Sequence, residues 1–190
     1  MESSSTLDLI IRFADEAHGE QMRKYVKDRY IVHPIRVMET CREFTNDMSI
    51  LAAAILHDVL EDTPVTRDEL GQFLLSVMAP DAAHRTLLFV IELTDVFVKK
   101  DYPRMNRALR KENERKRLSS ISSEAQTIKY ADILDNASDI FLNDPDFAPR
   151  FLKEGKLAIE QMTRGNQILR NRVLVSLHEH LAKTEAKKNL

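Results

Sequence analysis

Apolar residues recur at three- and four-residue spacing along almost the whole chain, and only four glycines and six prolines interrupt 190 residues. A pattern of that period, with so few breakers, favours amphipathic helices over strands. Successive stretches are expected at Leu7 to Tyr25, Pro34 to Glu43 and Ser49 to Leu60. Pro34 can open its helix, because the missing N–H has no partner in a first turn. Pro64 closes the next by pushing Thr63 out of the helical region. Thr66 and Glu69 then form a capping box for a helix to about Met78, which Pro80 ends. Further helices are expected at Ala83 to Leu93, Arg104 to Ser120, Ser123 to Leu142, Phe147 to Thr163 and Asn166 to Lys183. The fold class is all-α, one bundle of about seven to nine helices over residues 1–190.

Composition narrows the setting. The lone cysteine, Cys41, cannot form an internal disulfide, so a reducing cytoplasm is the expected compartment. The first residues lack the positive charge of a signal peptide, and no apolar run approaches a membrane span. A net charge of −2 argues against a surface that coats nucleic acid, and self-association stays open. The charge is unevenly spread: Phe97 to Arg117 carries nine basic and three acidic residues, leaving the remainder net acidic.

The chemistry gathers in the segment Ala52 to Thr63, where His57, Asp58, Glu61 and Asp62 follow an apolar run. Residues four apart on a helix lie one above the other, so His57 stacks with Glu61 and Asp58 with Asp62. Imidazole and carboxylate together suit a divalent cation such as Mn²⁺, Fe²⁺ or Zn²⁺. The plain alternative is a solvated helix end. Two other segments weigh against it. Tyr30-Ile31-Val32-His33-Pro34 sets a histidine just before a proline-initiated helix. Asp132, Asn136 and Asp139 share one helical face at i, i+4 and i+7.

The order His33, then His57-Asp58, then Asp132 resembles the H…HD…D signature of the HD phosphohydrolase superfamily. Phe13-Ala14, Ala17-His18, Gln21, Arg23-Lys24, Tyr30-Ile31, His33-Pro34, Ala53, Leu56-His57-Asp58, Glu61-Asp62-Thr63, Leu93-Thr94-Asp95, Ile128-Lys129, Ala131-Asp132 and Asn136 are similar to the hydrolase domain of the RelA/SpoT homologues. That resemblance covers about residues 13 to 140, with 141 to 190 completing the bundle. It implies a stand-alone hydrolase that removes the 3′-pyrophosphate of ppGpp and pppGpp, a small nucleotide substrate. The implied metal ligands are His33, His57, Asp58 and Asp132, most simply for Mn²⁺. Glu61 and Asp62 match the acids that activate and orient water. Arg23, Lys24 and Asn136 match nucleotide contacts, Asp139 follows on the same face, and Lys99, Arg107 and Arg110 are the chosen phosphate contacts.

Two stretches depart from the family pattern. Tyr25 to Arg29 stands where relatives often carry a glycine-containing turn, and Val96 to Arg104 is unlike the better-known members. Both leave the base open among guanine, adenine and a nicotinamide dinucleotide phosphate. An HD-type nucleotidase or phosphodiesterase is the rival enzyme. A nucleotide sensor or nucleic-acid-binding module is the non-enzymatic one. His84, His178 and His180 are expected to play no part, His18 to pack or act behind the site, and Cys41 not to serve as a nucleophile.

Overall fold

The structure is a computed structural model that describes residues 5–188. Ten helical segments, one of them a single turn, are found among these residues and no strand. The all-α expectation holds. Helices gather into two compact units, the first ending at Thr94 and the second beginning at Asp95.

In the first unit, α1 (Thr6–His18) starts on a capping box in which Ser5 and Asp8 satisfy each other's backbone N–H groups. It stops seven residues earlier than periodicity suggests. Gly19 turns the chain at φ 55°, a conformation open to glycine, and the following residues pair through an isolated bridge between Met22 and Arg29. Arg23 and Lys24 therefore lie on a hairpin-like loop, with the Arg23 N–H donating to the Asp28 carbonyl at 2.9 Å.

α2 (Val32–Arg42) begins two residues before Pro34, which places His33 inside its first turn. α3 (Met48–Leu56) is capped by Asp47, whose carboxylate accepts from the Ser49 N–H at 2.9 Å. Every residue from Ser49 to Leu56 is buried. A helix apolar on all sides belongs at the centre of its unit, and α3 packs against α1, α2 and α6.

The expected helix Ser49 to Leu60 is broken. α3 ends at Leu56, His57 and Asp58 form a turn, and α4 (Val59–Asp62) adds one further turn. Thr63 is extended at φ −127° and ψ 167°, as the proline after it requires. α5 (Arg67–Val77) carries the expected Thr66 and Glu69 capping box. Pro80 opens α6 (Pro80–Leu93) at its first position, so that helix starts earlier than Ala83.

The second unit holds α7 (Arg107–Leu118), α8 (Ser123–Asn143), α9 (Ala148–Gln161) and α10 (Gln167–Lys188). α8 packs on α9 and α10, and the fully buried Tyr130 on α8 donates to the Met162 carbonyl at 2.7 Å. Gly165 lies so close to this ring that a Cβ there would stand 2.5 Å from Tyr130 Cε2. Buried Glu114 on α7 accepts from the backbone N–H groups of Val96 and Phe97 at 3.1 and 3.0 Å. That clasp fixes the start of the segment carrying Lys99.

Candidate metal centre

At the turn that ends α3, Nε2 of His57 lies 3.1 Å from Oδ2 of Asp58, and Nε2 of His33, carried by the first turn of α2, lies 3.7 Å from the same oxygen. The three donor atoms lie within 4.8 Å of one another. Both imidazoles are almost fully buried, and the Asp58 side chain keeps 19% of its surface. The His57 Nδ1 sits 2.8 Å from the Ala54 carbonyl, so its hydrogen is spent there and the lone pair falls on Nε2. Two imidazole lone pairs and a carboxylate oxygen turned toward one point repel unless a proton or cation lies between them. This donor set fits a divalent cation.

Glu61 and Asp62, one turn further on, are both exposed. The Asp62 carboxyl is held above the ordinary carboxylate range, first because neighbouring atoms displace its water and second because it faces the negative charge of Asp58. The Tyr30 hydroxyl acts in the opposite sense on it.

Asp132 belongs to the second unit. It is 6% exposed, its Oδ2 pairs with the Lys129 ammonium at 2.8 Å, and its Oδ1 accepts from the Asn136 amide at 2.6 Å. The i, i+4 relation read from the sequence thus becomes a hydrogen bond. Asp139 accepts from the Asn143 amide at 2.8 Å, one turn along. Lys24 donates to the Tyr25 hydroxyl at 2.8 Å, and Arg23 is buried. Lys99 is exposed. Arg107 is engaged by both carboxylate oxygens of Glu154, at 2.9 and 2.6 Å, and Arg110 donates to the Met105 carbonyl at 2.5 Å. Those two guanidinium groups thus meet protein partners in this structure.

Three residues near these groups received no role from the sequence. Tyr30 donates its hydroxyl hydrogen to Asp58 Oδ2 at 2.5 Å, and Lys129 balances the buried charge of Asp132. Gln21 bonds Nδ1 of the buried His18 at 2.9 Å. The signal for Tyr30 was its place three residues before His33. His180 stacks on Phe141 with centroids 4.2 Å apart. Cys41 is buried and its thiol is pushed up to about 12 by loss of water, which suits no nucleophile.

The profile of the HD domain matches residues 30–137, a span that begins at Tyr30 and closes just after Asn136. The chain belongs to the HD domain family. This HD chain is 32% identical over 146 residues to the guanosine-3′,5′-bis(diphosphate) 3′-pyrophosphohydrolase MESH1 of Drosophila melanogaster, covering 71% of this chain and 69% of that protein. It is 45% identical over 60 residues to the guanosine-3′,5′-bis(diphosphate) 3′-pyrophosphohydrolase of Aquifex aeolicus. It is 29% identical over 144 residues to the GTP pyrophosphokinase rsh of Brucella ovis. The matched regions cover 32% and 75% of this chain but only 8% and 18% of those two bacterial proteins. A solved structure of a metazoan orthologue of SpoT shares the fold, with a TM-score of 0.73 at 24% identity, covering 96% of this chain and 97% of that one.

Proposed function

We propose that this chain is a divalent-metal-dependent 3′-pyrophosphohydrolase of guanosine tetra- and pentaphosphate, releasing GDP or GTP and pyrophosphate. The observation that carries the reading is the cluster of His33, His57 and Asp58, whose two imidazole nitrogens and one carboxylate oxygen lie within 4.8 Å of one another, with two exposed acids one turn beyond Asp58. Membership of the HD family and the name of the Drosophila relative supply the substrate class. Because the family profile runs across Thr94, residues 1–190 are taken as one functional domain.

His33, His57 and Asp58 hold the metal in this proposal, with Asp132 as fourth ligand on the order of the signature. Mn²⁺ is the preferred ion, since mixed imidazole and carboxylate donors suit it. A divalent cation there supplies Lewis acidity and lowers the pKa of water toward neutrality. Glu61 takes the proton from the attacking water and Asp62 orients it, roles open to exposed carboxylates within a turn of the ligands. The water oxygen bonds to the phosphorus attached to the ribose 3′ oxygen, the bond to that oxygen breaks, and the 3′ oxygen leaves protonated. Arg23 and Lys24 on the hairpin-like loop contact the nucleotide, as do Asn136 and Asp139. Lys99, Arg107 and Arg110 neutralise phosphate, Arg107 exchanging Glu154 for substrate. The cytoplasmic setting rests on the single buried thiol. No helix among the described residues is long and apolar enough to cross a membrane.

The test is product analysis. Protein loaded with Mn²⁺ is incubated with ppGpp, ppApp, NADPH and cyclic nucleotides, and the products are separated by ion exchange. Pyrophosphate from ppGpp, abolished by chelation, is the expected outcome. Orthophosphate or a ring-opened nucleotide moves the reading to a nucleotidase or phosphodiesterase, and full turnover after exhaustive chelation removes the metal.

A further inference from the structure

Tyr30 is held from several sides. Its backbone N–H donates to the Gln21 carbonyl at 2.9 Å, and its carbonyl accepts from the His33 N–H at 3.0 Å. Its ring lies between two histidines, His18 with centroids 4.5 Å apart and His33 edge-on at 6.0 Å. His18 is 7% exposed and tied in turn to Gln21. A ring so confined leaves its hydroxyl little choice of direction, and that hydroxyl donates to Asp58 Oδ2 at 2.5 Å. This oxygen is the one that both His57 and His33 face. The same hydroxyl lowers the pKa of the nearby Asp62 carboxyl, against the loss of water and the Asp58 charge that raise it.

We propose that Tyr30 is a positioning residue that sets the metal-facing oxygen of Asp58. The inference rests on the metal-centre reading given above and assigns a role to a side chain outside the ligand set. A carboxylate on one flexible torsion can turn its oxygens away from the two imidazoles. A short hydrogen bond from a wedged phenol selects the orientation in which Oδ2 points at them. The oxygen so set is the one that both imidazoles face, so Tyr30 acts on metal binding and, through it, on turnover without touching the reacting atoms.

The decisive variant is Tyr30→Phe, which fills the same space between His18 and His33 and removes one oxygen. Mn²⁺ affinity, read by competition with a chelator of known strength, is expected to fall about 10- to 100-fold, the usual effect of losing a partner behind a ligand. At saturating Mn²⁺, kcat on ppGpp is expected to remain about tenfold low while KM stays within about twofold, because substrate contacts are elsewhere. A second variant, Gln21→Leu, frees His18 and so loosens the wedge with the phenol intact. It is expected to weaken Mn²⁺ several-fold. A purely structural tyrosine lowers the unfolding midpoint and leaves Mn²⁺ affinity unchanged. Parent-like affinity in both variants overturns the role of Tyr30 while the metal centre stands. Failure of the parent chain to bind any divalent metal overturns the centre itself.

Discussion

Glu61 and Asp62 are neighbours in sequence, yet their surroundings separate them. Asp62 faces Asp58, and its carboxyl is raised by loss of water and by the charge of Asp58. Glu61 is exposed on the one-turn α4. Glu61→Gln keeps size and hydrogen bonding but removes the base. It should retain metal and bind nucleotide while kcat falls by roughly 10² to 10⁴, the contribution of a positioned general base. Single-turnover kinetics with elemental analysis of the same sample checks this: loss of metal makes Glu61 a ligand, and near-parent kcat passes the base to Asp62. His33, His57 and Asp58, which the structure brings together, were legible through an order that resembles the HD signature, since a histidine beside an aspartate after an apolar run is by itself as readily a solvated helix end. Tyr30 was not, since a tyrosine beside a histidine is as readily a packing residue. Only its hydroxyl distance to Asp58 distinguishes the two readings.

At the scale of elements, helix existence followed from periodicity, and capping chemistry placed several ends. Thr66 with Glu69, and Thr63 before Pro64, stand where side-chain and proline rules put them. The break after Leu56 was hidden, because Val59, Leu60 and the acids continue a helical pattern and neither glycine nor proline marks the turn. Gly19 misled less by its identity than by the periodic residues beyond it, which pair across a bridge instead. α3, which delivers His57, depends on Asp47 at its start. Burial alone raises the Asp47 carboxyl, but the Arg85 guanidinium at 2.7 Å and the Ser49 N–H outweigh it and hold the group below the ordinary range. A depressed folded pKa means stabilisation present above the unfolded value near about 3.9 and lost as pH falls through the folded value. Asp47→Ala should therefore cost about 1 kcal/mol at pH 7 by urea denaturation, with the difference shrinking below about pH 4. Asp47→Asn retains the cap and gives up only a pair to the half-exposed Arg85, so it should lie within about 0.5 kcal/mol of the parent. An equal loss in both variants assigns the effect to the ion pair instead of the cap.

For the whole molecule, periodicity gave the fold class but not the division at Thr94, since no linker composition marks it. The family profile crosses that division, and the proposed ligands run from His33 to Asp132, one helix system to the next along the chain. Metal binding adds to the stability of the folded unit that holds the ion: an ion bound at 100 times its dissociation constant adds about 2.7 kcal/mol. For a chain of this length each kcal/mol moves the melting temperature by roughly 2 to 4 °C, so Mn²⁺ should raise it by about 5 to 10 °C over chelated protein. Asp132→Asn is the informative comparison. It preserves shape and the capacity to accept from Asn136, but removes the charge that pairs with Lys129 and, in this proposal, with the metal. Its chelated form can melt lower than the parent for the loss of that pair alone, so the quantity to read by calorimetry is the metal-induced shift within each protein. A shift cut to less than about half in Asp132→Asn makes the aspartate a ligand. An undiminished shift leaves His33, His57 and Asp58 holding the ion without it and returns Asp132 to its role as the buried partner of Lys129.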